Sequence, residues 1–400
     1  MAMAENKDKK VLNVPNLRFP EFQGEWVVSR LSEYLNENKE RNKKGLFNKT
    51  DVLSVSGDFG IVNQIDLLGR SFAGASVLPY HVVRLGNIVY TKSPLKEYPY
   101  GIVKANTGKV GIVSTLYAVY SVNDNANDKF IEYYFSLANR ANRYFKPIVR
   151  IGAKHDMKIG NQEVLANQVV FPTVKEQEKI ADFLSLIDER ISTQNKIIED
   201  LKKLKSAIIE MEYSHNTKSN LHIGDFIEQT SKRNKDGAIQ NVLSVSNSQG
   251  FIQQSEQFEN RSVASDDTSN YKIVERNSFA FNPARINVGS IARLATFDRG
   301  IVSPMYICFR TRDNLFPEYL DYYFESKQFS TEIQKRLEGS VRQCLSFEGL
   351  CNIPLSIPTI EVQQQTGKRL STLAQEIKLE IDFLELLQKQ KKFLLYQMFI

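Results

Sequence analysis

The sequence predicts an α+β fold: two duplicated mixed α/β modules joined by two long antiparallel coiled-coil helices, related by an internal pseudo-two-fold. Three observations predict it. The first is an echo that keeps its order. Asp51–Ser56 returns as Asn241–Ser246, Gly60–Gln64 as Gly250–Gln254, Gly111–Tyr120 as Gly300–Phe309, Ile131–Phe135 as Leu320–Phe324, and Phe171–Gln177 as Ile357–Gln363. The offset drifts only from 190 to 186, far longer than the roughly 20–50 residues of a solenoid unit, so a whole module is repeated. The second is that each copy ends in a long stretch with helical apolar spacing. The third is that the rest of each copy is a series of short β-rich runs punctuated by Gly, Pro and Asn.

The modules come first along the chain. With 400 residues, two domains plus connecting elements fit, each large enough for its own core. Strand-like runs are expected at Asp51–Ser56, His81–Tyr90, Gly111–Tyr120, Ile273–Phe281 and Gly300–Arg310. One helix per module is expected at Asn127–Tyr144 and Pro317–Leu337, carrying the EYYF and DYYF patches as core residues. The boundaries expected are a polar tail at 1–14, a first module at 15–172, a central helix at 173–213, a second module at 214–358 and a terminal helix at 359–400.

The helices follow. Thr173 to Tyr213 contains no Pro and no Gly, and Ile180, Leu184, Ile187, Ile191, Ile198, Leu201 and Ile208 fall in the alternating four-three spacing of a coiled coil. Gln194 and Lys205 interrupt this seam, and Ile197, Leu204 and Met211 widen it. The second copy repeats the pattern at Leu370, Leu373, Ile377, Ile381, Leu384, Leu387 and Leu394. Pro172-Thr173 and Pro358-Thr359 open the two helices, with Thr as the capping residue. Forty residues make a rod of about 60 Å, and its apolar stripe needs a partner. The end of the first helix leads into the second module, whose end starts the second helix. The pair is therefore expected to run antiparallel. The competing reading is two domain helices, each packed on its own module.

Charge and composition narrow the chemistry. The two helices hold 13 Lys/Arg against 14 Asp/Glu, so the rest of the chain carries +7 where the whole carries +6. That excess is small for a protein relying on phosphate charge alone, and it suits modules that read base edges with few side chains. Cys308, Cys344 and Cys351 all lie in the second half, so disulfides are not part of the repeated design, and their spacing fits no zinc module. No metal and no cofactor is expected. The polar start and the lack of any apolar run of membrane-spanning length predict a cytoplasmic protein with no membrane partner.

Enzyme signals fail on inspection. Gly101–Val110 resembles a phosphate loop, but six residues separate its glycines and Val110 stands where Ser or Thr is required. Asn282–Arg285 (NPAR) lacks the second Pro and the aromatic of an adenine methyltransferase motif. Asp156-Met157-Lys158 resembles part of a nuclease element, yet the repeat puts Arg342, Gln343 and Cys344 there, with no acid. Both copies would keep a catalytic acid, so the sequence points to binding without catalysis. The rival readings are a stand-alone duplicated nuclease or methyltransferase, and an assembly scaffold with no DNA contact.

Two loops in each half suit the reading of a DNA groove. The first spans Tyr90–Lys109 and offers Lys92, Ser93, Lys96, Tyr98, Tyr100, Lys104, Asn106 and Lys109; its counterpart Phe281–Arg293 offers Asn282, Arg285, Asn287 and Arg293. The second spans Arg150–Lys158 with Arg150, Lys154, His155 and Lys158; its counterpart Glu338–Ser346 has Ser340, Arg342 and Gln343. Lys and Arg donate to guanine, Asn and Gln pair with adenine, and Ser serves either. These loops differ most between the copies while the strands agree, as expected of one scaffold reading two sequences.

The opening LRFPEFQGEW (Leu17–Trp26), the FPTVKEQEKIADFL of Phe171–Leu184 and the IPTIEVQQQTGKRL of Ile357–Leu370, set in this twofold layout, resemble the DNA-specificity (S) subunit of a type I restriction–modification enzyme. The resemblance covers nearly the full length. It implies two target recognition domains, each binding half of a split, asymmetric site in double-stranded DNA. It implies helices that set the gap between half-sites and dock two methyltransferase subunits, which bind S-adenosylmethionine. A motor and nuclease subunit joins in the full complex, and the specificity subunit itself is not catalytic. The second-copy opening around Leu221–Thr230 departs from the pattern, having neither LRFP nor Trp.

Overall fold

The computed structural model describes residues 12–152, 157–214, 220–247, 249–254, 267–339 and 343–400. The chain forms two compact units, Met1–Thr193 with Leu384–Ile400, and Gln194–Phe383. Both divisions fall inside the long helices Val174–Tyr213 and Ile360–Gln397, so each unit owns part of each helix.

The units share one topology. In the first, a four-stranded antiparallel sheet has the order Leu35–Glu37, Tyr117–Val122, Ile88–Thr91, Val103–Ala105. In the second, the order is Ile227–Thr230, Ile307–Thr311, Phe279–Phe281, Ile291–Arg293. Each unit adds a hairpin, Leu53–Ser56 with Gly60–Asn63 or Leu243–Ser246 with Gly250–Gln253, and a further pair, His81–Val83 with Gly111–Val113 or Lys272–Glu275 with Arg299–Val302. Two of the expected strand runs are broken. Gly86, at φ 76°, splits His81–Tyr90, and Asn277, at φ 67°, splits Ile273–Phe281; the halves join different sheets.

The repeated Gly111 and Gly300 have a steric origin. A Cβ on Gly111 would sit 2.6 Å from the Asp51 carbonyl oxygen, and one on Gly300 would sit 2.4 Å from Leu243 Cδ1. Only glycine lets these strands approach so closely.

The single helix expected in each module is two. Asp128–Phe135 is followed by Ala138–Phe145, and Pro317–Tyr323 by Lys327–Gln334. A serine breaks each one. The Ser136 hydroxyl donates to the Tyr133 carbonyl and the Ser326 hydroxyl to the Tyr323 carbonyl, both at 2.7 Å. Ser326 then caps the next helix by accepting from the Phe329 N–H at 3.1 Å. A hydroxyl that bonds its neighbours' backbone competes with helix propagation.

The aromatic patches form the cores. In the first unit Phe130, Tyr134 and Phe171 pack with Phe399 just beyond the terminal helix, the Phe130–Phe399 centroids lying 5.1 Å apart. In the second, Tyr319 and Tyr323 pack on Tyr213, at 4.9 and 5.5 Å. Each such ring contributes roughly 1.5–3 kcal/mol by leaving water.

Within each unit the helix segments run antiparallel. In the first, Ile180, Leu184 and Ile187 share a core with Leu394, Leu395 and Met398, and Lys391 pairs with Asp188 at 2.5 Å. In the second, the buried Gln194 donates to the Glu380 carbonyl at 3.1 Å, while Glu212 binds Arg369 at 2.5 Å and Thr366 at 3.3 Å. Gln194 is thus a cross-helix tie inside the seam. Two expectations need correction. Ile197, Leu204 and Met211 do not widen the seam; they are 40%, 50% and 60% exposed, because a two-helix seam consumes one stripe and leaves the next outside. At the helix end Ile209 and Tyr213 enter the core, whereas Ile208 is only half-buried beside it.

Candidate nucleic-acid interface

The repeated Pro-Thr-x-x-x-Gln signature works as a clamp between helix and module. Gln177 is fully buried; its amide donates to the Pro172 and Asn125 carbonyls at 3.0 and 3.2 Å, and its oxygen accepts from the Asn127 N–H at 3.0 Å. Gln363 does the same for Pro358, Asn314 and Phe316, at 2.9, 3.2 and 2.8 Å. An amide supplies two donors and an acceptor, which is what three orphaned backbone groups require.

A second tie repeats too. The Tyr133 hydroxyl donates to Asp188 at 2.7 Å and lies 3.4 Å from Ser185, with Lys391 over its ring at 5.5 Å. The Tyr322 hydroxyl lies 3.1 Å from Ser371, with Lys205 over its ring at 5.1 Å. Burial raises the pKa of both phenols, that of Tyr322 to about 12, so both hydroxyls stay neutral. Lys205, expected as an interruption of the seam, instead pairs with Glu325 at 2.7 Å.

On this scaffold the loop residues fall into two groups. Lys92 donates to Asn161 at 2.6 Å, and burial depresses its pKa. Lys104 pairs with Glu132 at 3.1 Å, the Tyr98 hydroxyl donates to the Ser136 carbonyl, and the Tyr100 carbonyl accepts from Tyr90 at 2.5 Å. Asn106 is buried and donates to the Arg84 and Lys109 carbonyls, both at 3.1 Å. In the second unit Asn282 is buried and accepts from the Ala284 N–H at 3.1 Å, while Arg293 binds Asp321 at 3.1 Å, Glu318 at 3.3 Å and Asn277 at 2.8 Å. Burial raises the Asp321 carboxyl to about 6 despite that arginine. These six side chains, and the Tyr100 main chain, are engaged within their own modules. Ser93, Lys96, Lys109, Arg150, Lys158, Arg285, Asn287 and Gln343 are exposed. Lys154, His155, Ser340 and Arg342 lie outside the described residues, as does Asp156.

One repeated basic feature lies outside both loops. Arg41-Asn42-Lys43-Lys44-Gly45 returns as Arg233-Asn234-Lys235-Asp236-Gly237, at an offset of 192 that continues the drift of the other echoes. The two turns are built alike. The Gly45 N–H donates to the Asn42 carbonyl at 2.9 Å and the Gly237 N–H to the Asn234 carbonyl at 3.0 Å, with both glycines at φ 65°. Each asparagine is buried and brackets the loop, Asn42 through the Phe47 carbonyl (2.8 Å) and N–H (3.1 Å), Asn234 through those of Ile239 (2.9 and 3.1 Å). Lys43, Lys44 and Lys235 are exposed. The order-preserving echo was the signal that reveals it.

Among the described residues no group of His, Cys, Asp and Glu could hold a metal ion, and no helix is long and apolar enough to cross a membrane. Cys308 is buried, which pushes its thiol up to about 12 and makes it a poor nucleophile.

Comparison with known proteins fits this geometry. The family described as type I restriction modification DNA specificity domain matches residues 83–203 and again residues 223–389. A crystal structure of the type I restriction-modification S subunit from M. genitalium is similar over 97% of this chain and 99% of its own, with a TM-score of 0.59 at 14% identity. A chain from a study of type I R-M assembly and conformational transition is similar over 94% of this chain and 97% of its own, with a TM-score of 0.52 at 14% identity. At that identity the structures speak to the fold.

Proposed function

We propose a function that proceeds from one fact: the chain belongs to the type I restriction modification DNA specificity family, whose domain it carries twice. It is a specificity subunit of a type I restriction–modification system. In our reading each module is a target recognition domain that binds one half of a split, asymmetric site in double-stranded DNA. The observation that carries this is a scaffold repeated down to single hydrogen bonds while the loops it presents differ. Gln177 and Gln363 fix their modules identically, whereas the loop that carries Lys96 and Lys109 in one copy carries Arg285 and Asn287 in the other. Two readers of one build and different tips recognise two different sequences.

The subunit positions and does not catalyse in this reading. Methylation belongs to partner subunits that bind S-adenosylmethionine, and cleavage to a motor and nuclease subunit. Support for docking comes from the apolar side chains left outside the seam: Leu186, Leu386 and Phe393 in the first unit, Ile197, Leu204, Met211 and Leu379 in the second. Apolar residues at helical spacing on an outer face suit a partner surface. The helices set the separation of the half-sites.

Genome-wide mapping of adenine methylation in cells carrying this chain and its methylation partner tests the function. Two short defined blocks separated by a fixed unread gap are expected. Methylation at one continuous site, or none that depends on this chain, overturns the reading.

A further inference from the structure

The loops that differ between the modules suit what differs between two half-sites. What the half-sites have in common is the sugar-phosphate backbone, which carries no sequence information. A backbone-holding element is therefore expected to be the same in both modules, rigid, basic and exposed. The Arg-Asn-Lys-x-Gly turn has all four properties.

Its rigidity comes from both flanks and from the centre. Before the turn, the Asn42 N–H donates to the Tyr80 carbonyl at 3.0 Å and the Val82 N–H to the Glu40 carbonyl at 3.1 Å. The second copy repeats this from Asn234 to Tyr271 at 3.0 Å and from Ile273 to Lys232 at 2.8 Å. After the turn, Phe47 packs against Val52, Val82 and Ile112, as Ile239 packs with Tyr271 and Ile301. Asparagine at the first position and glycine at the fourth are favoured in four-residue turns. Arg41 and Arg233 are drawn sideways, to His81 and to Asn270 (2.9 Å) respectively. The lysines after the asparagine remain exposed, and among the described residues none of the three makes an ion pair. A fixed turn that presents free ammonium groups is a phosphate contact, because lysine binds phosphate as a point charge.

We propose that the Asn42–Gly45 and Asn234–Gly237 turns are the phosphate-gripping elements of the two modules, Lys43, Lys44 and Lys235 being the side chains that contact DNA phosphates. The inference rests on the DNA-specificity reading. The copies are unequal: Asp236 stands where Lys44 does, so the first turn grips with two positive charges and the second with one, beside an acid that offsets it.

The test is the salt dependence of DNA binding by the full chain with its methylation subunit, together with sequence selection from a random duplex library. Lys43→Ala with Lys44→Ala should weaken binding ~3- to 10-fold per lysine at 0.1 M salt and flatten the log–log salt slope by about two, with the selected sequence unchanged. Asp236→Lys should strengthen binding and steepen the slope by about one. All three residues are exposed, so circular dichroism should show native helix content. An unchanged slope in both variants, or a change in the bases selected, overturns the phosphate role while leaving the specificity reading intact. If the unaltered complex selects no sequence at all, the specificity reading itself fails and the inference with it.

Discussion

At Gln177 and Gln363 the two units are interchangeable; one residue earlier they part. Glu176 is buried beneath the opening segment, holding Arg18 at 2.7 and 2.8 Å and Trp26 at 3.2 Å. Its counterpart Val362 is 42% exposed. The first unit also pairs Val27–Arg30 with Gln168–Phe171, where the described residues of the second show the bridge His222–Pro354 with hydrogen bonds from the Ile223 N–H to the Ile353 carbonyl and from the Leu355 N–H to the Leu221 carbonyl. What agrees is the set of contacts that fix module to helix. What differs, among the described residues, is the cover over that junction. The duplication therefore retained positioning and relaxed the surroundings.

The largest break in the comparison is expected at Trp26. Its ring lies 2% exposed between Phe130 and Phe399, at centroid distances of 6.1 and 6.4 Å. Trp26→Ala should cost ~3–5 kcal/mol in the first unit, and its removal has no equivalent in the second. Hydrogen exchange resolved by segment should show the loss confined to the first unit.

Next come the clamps. Gln177→Leu and Gln363→Leu each remove three hydrogen bonds to backbone groups, most of them part-buried, and should each cost ~1–3 kcal/mol in denaturant unfolding. Equality within about 1 kcal/mol would confirm that the copies use one device; a large inequality would separate them.

The hydroxyl ties sharpen the contrast. Tyr133 donates to a carboxylate, whereas Ala374 occupies the position equivalent to Asp188 and, among the described residues, the Tyr322 hydroxyl meets the Ser371 hydroxyl. Tyr133→Phe should cost ~1.5–3 kcal/mol and Tyr322→Phe ~0.5–1.5 kcal/mol, since hydrogen bonds to charged groups are stronger. The reverse order in thermal unfolding would contradict these assignments.

The sequence showed the duplication and the antiparallel helices plainly, because both rest on periodicity and on repeated words. It hid the helix breaks at Ser136 and Ser326, since a serine's choice between solvent and its own backbone is made by packing. It hid the split at Gly86, whose positive φ turns one β-rich run into strands of two sheets. Among the loop residues the difficulty is physical. A polar loop must first satisfy its own backbone, so Asn106 and Asn282 are spent inside it, while Arg293 is spent on the Asp321 and Glu318 carboxylates, and residue type alone does not distinguish them from Lys109 or Arg285. The basic turn escaped notice for the opposite reason: a run of lysines resembles a solvated surface until the buried Asn42 and Asn234 show it to be built.

Selection of duplexes from a random library by the full chain with its methylation partner, compared with the Arg285→Ala, Asn287→Ala variant, tests the central claim most directly. Independent readers on one scaffold predict that one block of the selected site relaxes while the other block and the gap between them stay as they were. Equal loss in both blocks, or a change in the gap, would contradict it.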